Sequence, residues 1–275
     1  MIRYYLLLFF FLLVMMRVNA QTTAIEWTGQ TVTDEISFGT ISADASFSEA
    51  VDWSYLVFLN LNDGGGNKSF ASMYGSSTNR QINFYVPSSA SNLAVRADLN
   101  NLTVSVTTDE VMSLNTWYLV MLSNDASESD NFRIFIMDMN GALVDSTSST
   151  AFTSDHGLNA ELVLGNRNTI HAYRGSMAYA SYFSAYYGLT EMGEYIVNPT
   201  GFLASNTADN EFFLSLSDTV GHGNTHTDEG PTGNNGTEGN AGTLIQDSDG
   251  PVLPAGVSAA VSTNRYRKYS RYQDY

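Results

Sequence analysis

The chain has 275 residues, 43% hydrophobic and 12% aromatic, with 12 Lys and Arg against 28 Asp and Glu for a net charge of -16. That charge is uneven: residues 21–264 hold six basic and 27 acidic side chains, a net of -21, which repels a phosphate backbone and excludes nucleic acid as a partner of the body. There is no cysteine, which excludes a disulfide framework, thiol nucleophiles and Cys-ligated zinc, so an exported domain must stand on its core alone.

The N-terminus, MIRYYLLLFFFLLVMMRVNAQ, has Arg3, an apolar run from Leu6 to Met16, and small residues at Val18 and Ala20. This is the layout of a secretory signal peptide cut after Ala20, and the run is shorter than the ~20 residues a spanning helix needs. The expectation is a leader over 1–20, export or cell-surface display, and no transmembrane segment once the leader is removed.

Short β-branched and aromatic runs then alternate with Gly, Asn, Asp and Ser clusters. Strands are predicted over 35–41, 54–61, 69–74, 81–86, 92–98, 102–107, 116–122, 132–139, 142–146, 161–165, 175–187, 211–217 and 243–246, which argues an all-β, antiparallel sandwich. In FRIFIMDM, Phe132, Ile134 and Ile136 share one face and Arg133, Phe135 and Met137 the other, the pattern of a strand covered on both sides. Asn140-Gly141 is read as the two positive-φ positions of a tight hairpin. One short helix is expected near residue 190, capped by Thr190, favoured by Glu191 and Glu194, and stopped by Pro199. The tract GHGNTHTDEGPTGNNGTEGNAG is too poor in apolar residues to pack. Beyond it, 21–253 is read as one sandwich domain and 254–275 as a linker and tail.

That tail ends RYRKYSRYQDY, with Tyr266, Tyr269, Tyr272 and Tyr275 spaced by Arg265, Arg267, Lys268 and Arg271. Eleven residues are too few for a stable isolated helix. The tail is read as an accessory contact for an acidic surface, that of this chain or of a neighbour.

Three pieces in order carry a resemblance. NTWYLVMLSNDASESDNFRIFIMDMNGALV resembles a laminin-G-like or concanavalin A-like lectin/glucanase jelly-roll segment, in which a Trp opens a strand and the next strand ends at Asn-Gly. ELVLGNRNTIHAYRGSMAYASYFSAYYGLTEMGEYI is similar to that fold's closing unit, and SDTVGHGNTHTDEG to the loop that follows it, with Asp218, Gly221, Gly223 and Asn224 in place. The resemblance covers roughly residues 24 to 250 and implies a jelly roll; this fold hosts lectins, adhesion domains and glycosidases alike. It also implies a rim calcium, for which NDGGGN supplies Asp63 with amides and carbonyls, and GNRNTI a second candidate loop.

Catalytic signatures are weak. A glycosidase would carry paired carboxylates, commonly Glu-x-Asp-x-x-Glu on one strand, and no such run exists in the sequence. QINFYV faintly resembles a strand of alginate lyases but has Asn83 where the catalytic His would stand. His222 and His226 with Asp218 and Asp228 have transition-metal ligand chemistry, against the plainer reading of a loop with incidental histidines. The preferred binding group is Arg167, His171, Tyr173 and Arg174: an aromatic platform stacks on a sugar and a guanidinium clamps a carboxylate or sulfate. The competing reading packs Tyr173 into the sandwich and pairs Arg174 with an acid. Trp27, Trp53 and Trp117 are expected in the core. These observations weigh toward a non-catalytic glycan-binding or adhesion module whose partner is a glycan or an extracellular protein. A polysaccharide-degrading enzyme and a structural virion or cell-surface protein are the alternatives.

Overall fold

The computed structural model describes residues 23–28, 35–40, 47, 51–74, 80–88, 93–99, 104–109, 111–149, 161–165, 173–216, 225–239 and 244–254. The N-terminal segment read as a leader, Arg167, His171, the Asp218–Asn224 loop and the tyrosine tail lie outside the described residues.

The strands in chain order are β1 (Ala24–Trp27), β2 (Ile36–Thr40), β3 (Trp53–Leu61), β4 (Lys68–Tyr74), β5 (Arg80–Val86), β6 (Arg96–Leu99), β7 (Val104–Thr107) and β8 (Tyr118–Asn124). They continue as β9 (Phe132–Asp138), β10 (Leu143–Ser149), β11 (Glu161–Leu164), β12 (Gly175–Phe183), β13 (Asn210–Leu214), β14 (Thr225–His226), β15 (Gly236–Glu238) and β16 (Leu244–Asp247). Two helices, α1 (Leu189–Val197) and α2 (Pro199–Ser205), lie between β12 and β13.

These strands form two antiparallel sheets. The first runs β10-β9-β8-β3-β12-β1-β16, and β13 also pairs with β12; the second runs β14-β15-β2-β11-β4-β5-β6-β7. The nine-residue β12 meets β1 through Gly175–Met177 and β13 through Ala180–Phe183. Between them a bulge at Tyr179, at φ 50°, shifts the strand's phase, so that Met177, Ala180 and Tyr182 all face the sandwich core.

The core between the sheets is aromatic. Phe47 lies edge-on to Trp53 at 4.8 Å and to Tyr182 at 4.9 Å, and Trp53, Tyr55, Phe84, Phe132 and Phe212 complete the layer. The two-faced reading of β9 holds: Phe132, Ile134 and Ile136 enter this core, while Phe135 and Met137 face outward. There Met192, Tyr195, Ile196, Phe202 and Leu203 of the helices cover them, so the first sheet is the middle of three layers. Trp27 and Trp53 are fully buried, but Trp117 sits at the margin, its indole N–H donating to Asp249 O at 3.0 Å.

Four local expectations are corrected. The hairpin after β9 is a three-residue loop: only Gly141 has positive φ, its N–H donates to Asp138 O at 2.9 Å, and Asp138 N donates to Ala142 O at 3.0 Å. Helix α1 begins after Gly188, not Thr190, because Glu191 reaches back to accept the Gly188 N–H at 2.9 Å. Pro199 ends α1 but also opens α2 at its first position, where a missing N–H costs nothing, with Asn198 accepting Gly201 N at 3.0 Å.

The polar tract after β13 also packs. Asp228, 7% exposed, accepts Phe213 N at 2.8 Å, Gly230 N at 2.7 Å, Asn234 N at 2.7 Å and Thr232 Oγ1 at 3.1 Å. One carboxylate thus gathers the turn that returns the chain into β15, doing with hydrogen bonds what apolar residues do elsewhere.

Candidate functional site

Two of the residues singled out in the sequence meet at one rim of the sandwich. β3 ends at Leu61, which pairs with Gly175 at the start of β12, so the Asn62–Asn67 loop and Tyr173-Arg174 emerge side by side. Arg174 Nη1 donates to Asp63 Oδ2 at 2.7 Å, with both side chains nearly half exposed. Asp63 Oδ1 accepts Gly65 N at 2.7 Å, and these two contacts hold its carboxyl below the usual carboxylate range. Asn62 Nδ2 donates to Glu26 Oε1 at 2.7 Å, tying the loop to β1. Lys68 is buried, and its ammonium donates to the carbonyls of Gly65 and Gly66, each at 2.8 Å.

Tyr173 takes the packing role. Its ring is fully buried, edge-on to Trp27 at 5.9 Å, and its hydroxyl donates to Ser176 O at 3.1 Å, with Asn60 O at 3.3 Å. Burial pushes the phenol far above its ordinary pKa. It offers no face to a sugar. Arg174 likewise follows the plainer reading, an ion pair with an acid, although a guanidinium with five donors keeps some free at the surface. Arg167 and His171 lie outside the described residues.

A second polar group lies on the outer face of the second sheet. Alternation in β4, β5, β6 and β7 sends Ala71, Phe84, Ala97 and Val106 into the core, and their neighbours to the other side. Strand register then aligns those neighbours: Ser37 opposite Val163, Val163 opposite Ser72, Ser72 opposite Asn83, Asn83 opposite Asp98, and Asp98 opposite Ser105. A parallel row pairs Tyr85 with Arg96 and Arg96 with Thr107.

The rows are cross-linked. Asp98 Oδ1 accepts Arg96 Nε at 2.8 Å and Ser105 Oγ at 2.6 Å, while Arg96 Nη2 donates to Ser105 Oγ at 2.6 Å. The Arg96 guanidinium stands 5.5 Å from the centre of the Tyr85 ring. Ser69 Oγ donates to Asn83 Oδ1 at 2.6 Å, and the buried Asn83 Nδ2 has no hydrogen-bond partner among the described residues. Arg96, Ser105 and Thr107 are the solvent-facing part of this surface; Tyr85, Asp98, Asn83 and Ser72 are buried beneath and beside them.

This group escaped sequence reasoning, except that Asn83 stood out as a misfit to a lyase motif. The alternation in QINFYV was visible, yet nothing in the sequence states that Asn83, Asp98 and Ser105 share a row. Of the four candidate metal ligands of the polar tract, Asp218 and His222 lie outside the described residues; His226 Nε2 lies 3.7 Å from buried Glu238, and Asp228 accepts four hydrogen bonds. Among the described residues no trio of His, Cys, Asp or Glu is placed to hold a metal ion. Among them, too, no helix is long and apolar enough to cross a membrane.

The chain matches no protein-family profile and no characterised protein in sequence. In structure, 84% of the chain is similar to 61% of a proposed carbohydrate-binding protein from Bacteroides ovatus, with TM-score 0.58 and 14% identity. It also resembles tailspike protein 2 of the Escherichia coli bacteriophage CAB120, over 74% of this chain and 28% of that one, with TM-score 0.51 and 12% identity. A heptameric pentraxin from Limulus polyphemus is similar over 64% of this chain and 82% of its own, with TM-score 0.49 and 11% identity. The chain spans less than two thirds of the length of the first two. The likeness is one of fold, an antiparallel β-sandwich of the jelly-roll kind.

Proposed function

We propose that this chain is an exported, non-catalytic glycan-binding sandwich of the laminin-G-like or concanavalin A-like class. Its contact surface is the outer face of β5, β6 and β7. The observation that carries this reading is the cross-linked set Tyr85, Arg96, Asp98 and Ser105 on the sheet face opposite the helices. Sugar hydroxyls both donate and accept, so they suit the solvent-facing Arg96 guanidinium and Ser105 hydroxyl, which the buried Asp98 carboxylate beneath them holds in place.

Hydrolysis of a glycosidic bond would call for two carboxylates flanking it. The row from Ser37 to Ser105 carries one, Asp98, which is already engaged by Arg96 and Ser105. The acidic body and this internal pairing of the guanidinium favour a neutral glycan over a polyanion. The shared sandwich with the proposed carbohydrate-binding protein of Bacteroides ovatus is compatible with the same role, and the leader-like N-terminus supports export.

The test is a glycan-array screen of the protein followed by calorimetry with the best binder, comparing wild type with Arg96→Ala and Ser105→Ala. Expected is a loss of about tenfold or more in affinity for Arg96→Ala, the scale of one lost charge-assisted contact. Arg96→Ala also strips the ion-pair partner from the buried Asp98 carboxylate, so its melting midpoint should fall by several degrees and affinities are compared well below it; Ser105→Ala should move the midpoint little. Binding that is indifferent to both substitutions sinks the assignment to this face, and an array with no binder sinks the glycan reading.

A further inference from the structure

The Asn62–Asn67 loop has the composition of a calcium loop, but its oxygens are arranged around a different cation. Calcium takes six to eight oxygen ligands at about 2.3–2.6 Å, drawn here from carboxylates and free carbonyls. Lys68, the first residue of β4, is fully buried and directs its ammonium at the carbonyl oxygens of Gly65 and Gly66, 2.8 Å from each. Asp63 closes the same turn from the other side, Oδ1 on Gly65 N and Oδ2 on Arg174, each at 2.7 Å. The carbonyls and carboxylate that would ligate a divalent ion are thus engaged by an ammonium, a backbone N–H and a guanidinium.

We propose that Lys68 is the resident cation of this rim loop, so that the loop closes on a protein ammonium and excludes a free divalent ion. A dication on the Gly65 and Gly66 oxygens would have to sit against the ammonium already there, like charge on like charge, in a setting where burial weakens the screening by water. The exchange also explains why a lysine tolerates complete burial. Its charge is met by two carbonyl dipoles and stands close enough to Asp63 for the carboxylate to offset part of the penalty of leaving water. Burial itself pulls the other way, lowering the pKa of the ammonium. Arg174 then completes the rim by pairing with the outer oxygen of Asp63, which rules out bidentate ligation by that carboxylate while the pair is in place. This inference stands apart from glycan binding and makes no use of it.

Two measurements test it. Thermal melting of the wild-type protein is compared in roughly 10 mM calcium, above the affinity range of extracellular calcium modules, and in chelator. The expected result is an unchanged midpoint. In Lys68→Ala the loop loses its cation, and calcium should now raise the midpoint by roughly 3–10 °C as it takes the freed oxygens. A folded Lys68→Ala whose midpoint ignores calcium overturns the proposal, and so does a wild-type midpoint that rises with calcium and no longer does so in Asp63→Asn. Should Lys68→Ala fail to fold in either condition, reductive methylation of the native wild-type protein decides. The sequence holds two lysines, Lys68 and Lys268. Expected is dimethylation of Lys268 with Lys68 protected at least about tenfold, the mark of an ammonium committed to buried acceptors. Equal modification of the two overturns it.

Discussion

Replacing Gly175 by Ala should cost far more than the same change at Gly141, although both glycines have positive φ. At Gly175, φ is +143°, and an added Cβ would lie 2.0 Å from Asn60 O and 2.9 Å from Leu61 Cα. Both obstacles are backbone of β3, the strand that Gly175 pairs with through Leu61, so no side chain can swing aside. The backbone conformation alone costs about 1–3 kcal/mol for a residue with a Cβ. Separating two paired strands to relieve the clash adds about 1–3 kcal/mol more.

The sum, about 2–6 kcal/mol, is a large part of the 5–15 kcal/mol that typically holds a domain folded. At about 2–4 °C per kcal/mol for a chain of this size, the midpoint should fall by roughly 4–24 °C. Gly141, at φ +80°, has nothing within 4 Å of its virtual Cβ. Its substitution carries only the left-handed backbone penalty, about 1 kcal/mol and roughly 2–4 °C. Near-UV circular dichroism during heating reads both variants on the same aromatic core. Equal, small losses at the two positions would refute the close approach of β12 to β3, and with it the juxtaposition of Arg174 and Asp63.

Other substitutions probe single contacts. Asp228→Asn places an amide N–H2 against donors that now meet a carboxylate oxygen, and should cost about 2–3 kcal/mol by urea denaturation; a loss below about 0.5 kcal/mol would mean the turn does not depend on it. Tyr55 is fully buried and its hydroxyl has no hydrogen-bond partner among the described residues, so Tyr55→Phe should leave stability unchanged or raise it by up to about 1 kcal/mol. A clear destabilisation by that change would show that the hydroxyl has a partner. Asp63 has a folded-state pKa below its unfolded value, so its hydrogen bond from Gly65 N–H and its ion pair with Arg174 contribute above the ordinary carboxylate pKa and are lost as pH falls through the lowered one. Because both partners are nearly half exposed, the contribution is under about 1 kcal/mol. The stability gap between wild type and Asp63→Asn should therefore be small at neutral pH and close on acidification; a gap that widens toward low pH contradicts the pairing.

The strand pattern was legible because a residue's side in a strand follows from its parity. FRIFIMDM announces two apolar faces, and the structure supplies a partner for each, the opposite sheet for Phe132 and the helices for Phe135. The polar tract was misread for a related reason. Its packing depends on Asp228 meeting Phe213 N and Asn234 N, contacts between segments that composition cannot register. Likewise Asn140-Gly141 signals a turn, but the number of loop residues depends on how β9 and β10 pair.

The candidate site divides along the same line. Sequence alone determined the all-β architecture, the absence of disulfide chemistry, the acidic body and the chemical repertoire of Asp63 and Arg174, because these follow from residue type and local periodicity. Tertiary structure decided that Asp63 and Arg174 face each other, that Tyr173 is interior, that Lys68 turns back into its own loop, and that Asn83, Asp98 and Ser105 stand in one row. Each of these turns on strand register, a relation between residues far apart in the chain. Sliding a strand by one residue moves every side chain to its other face while leaving the sequence unchanged.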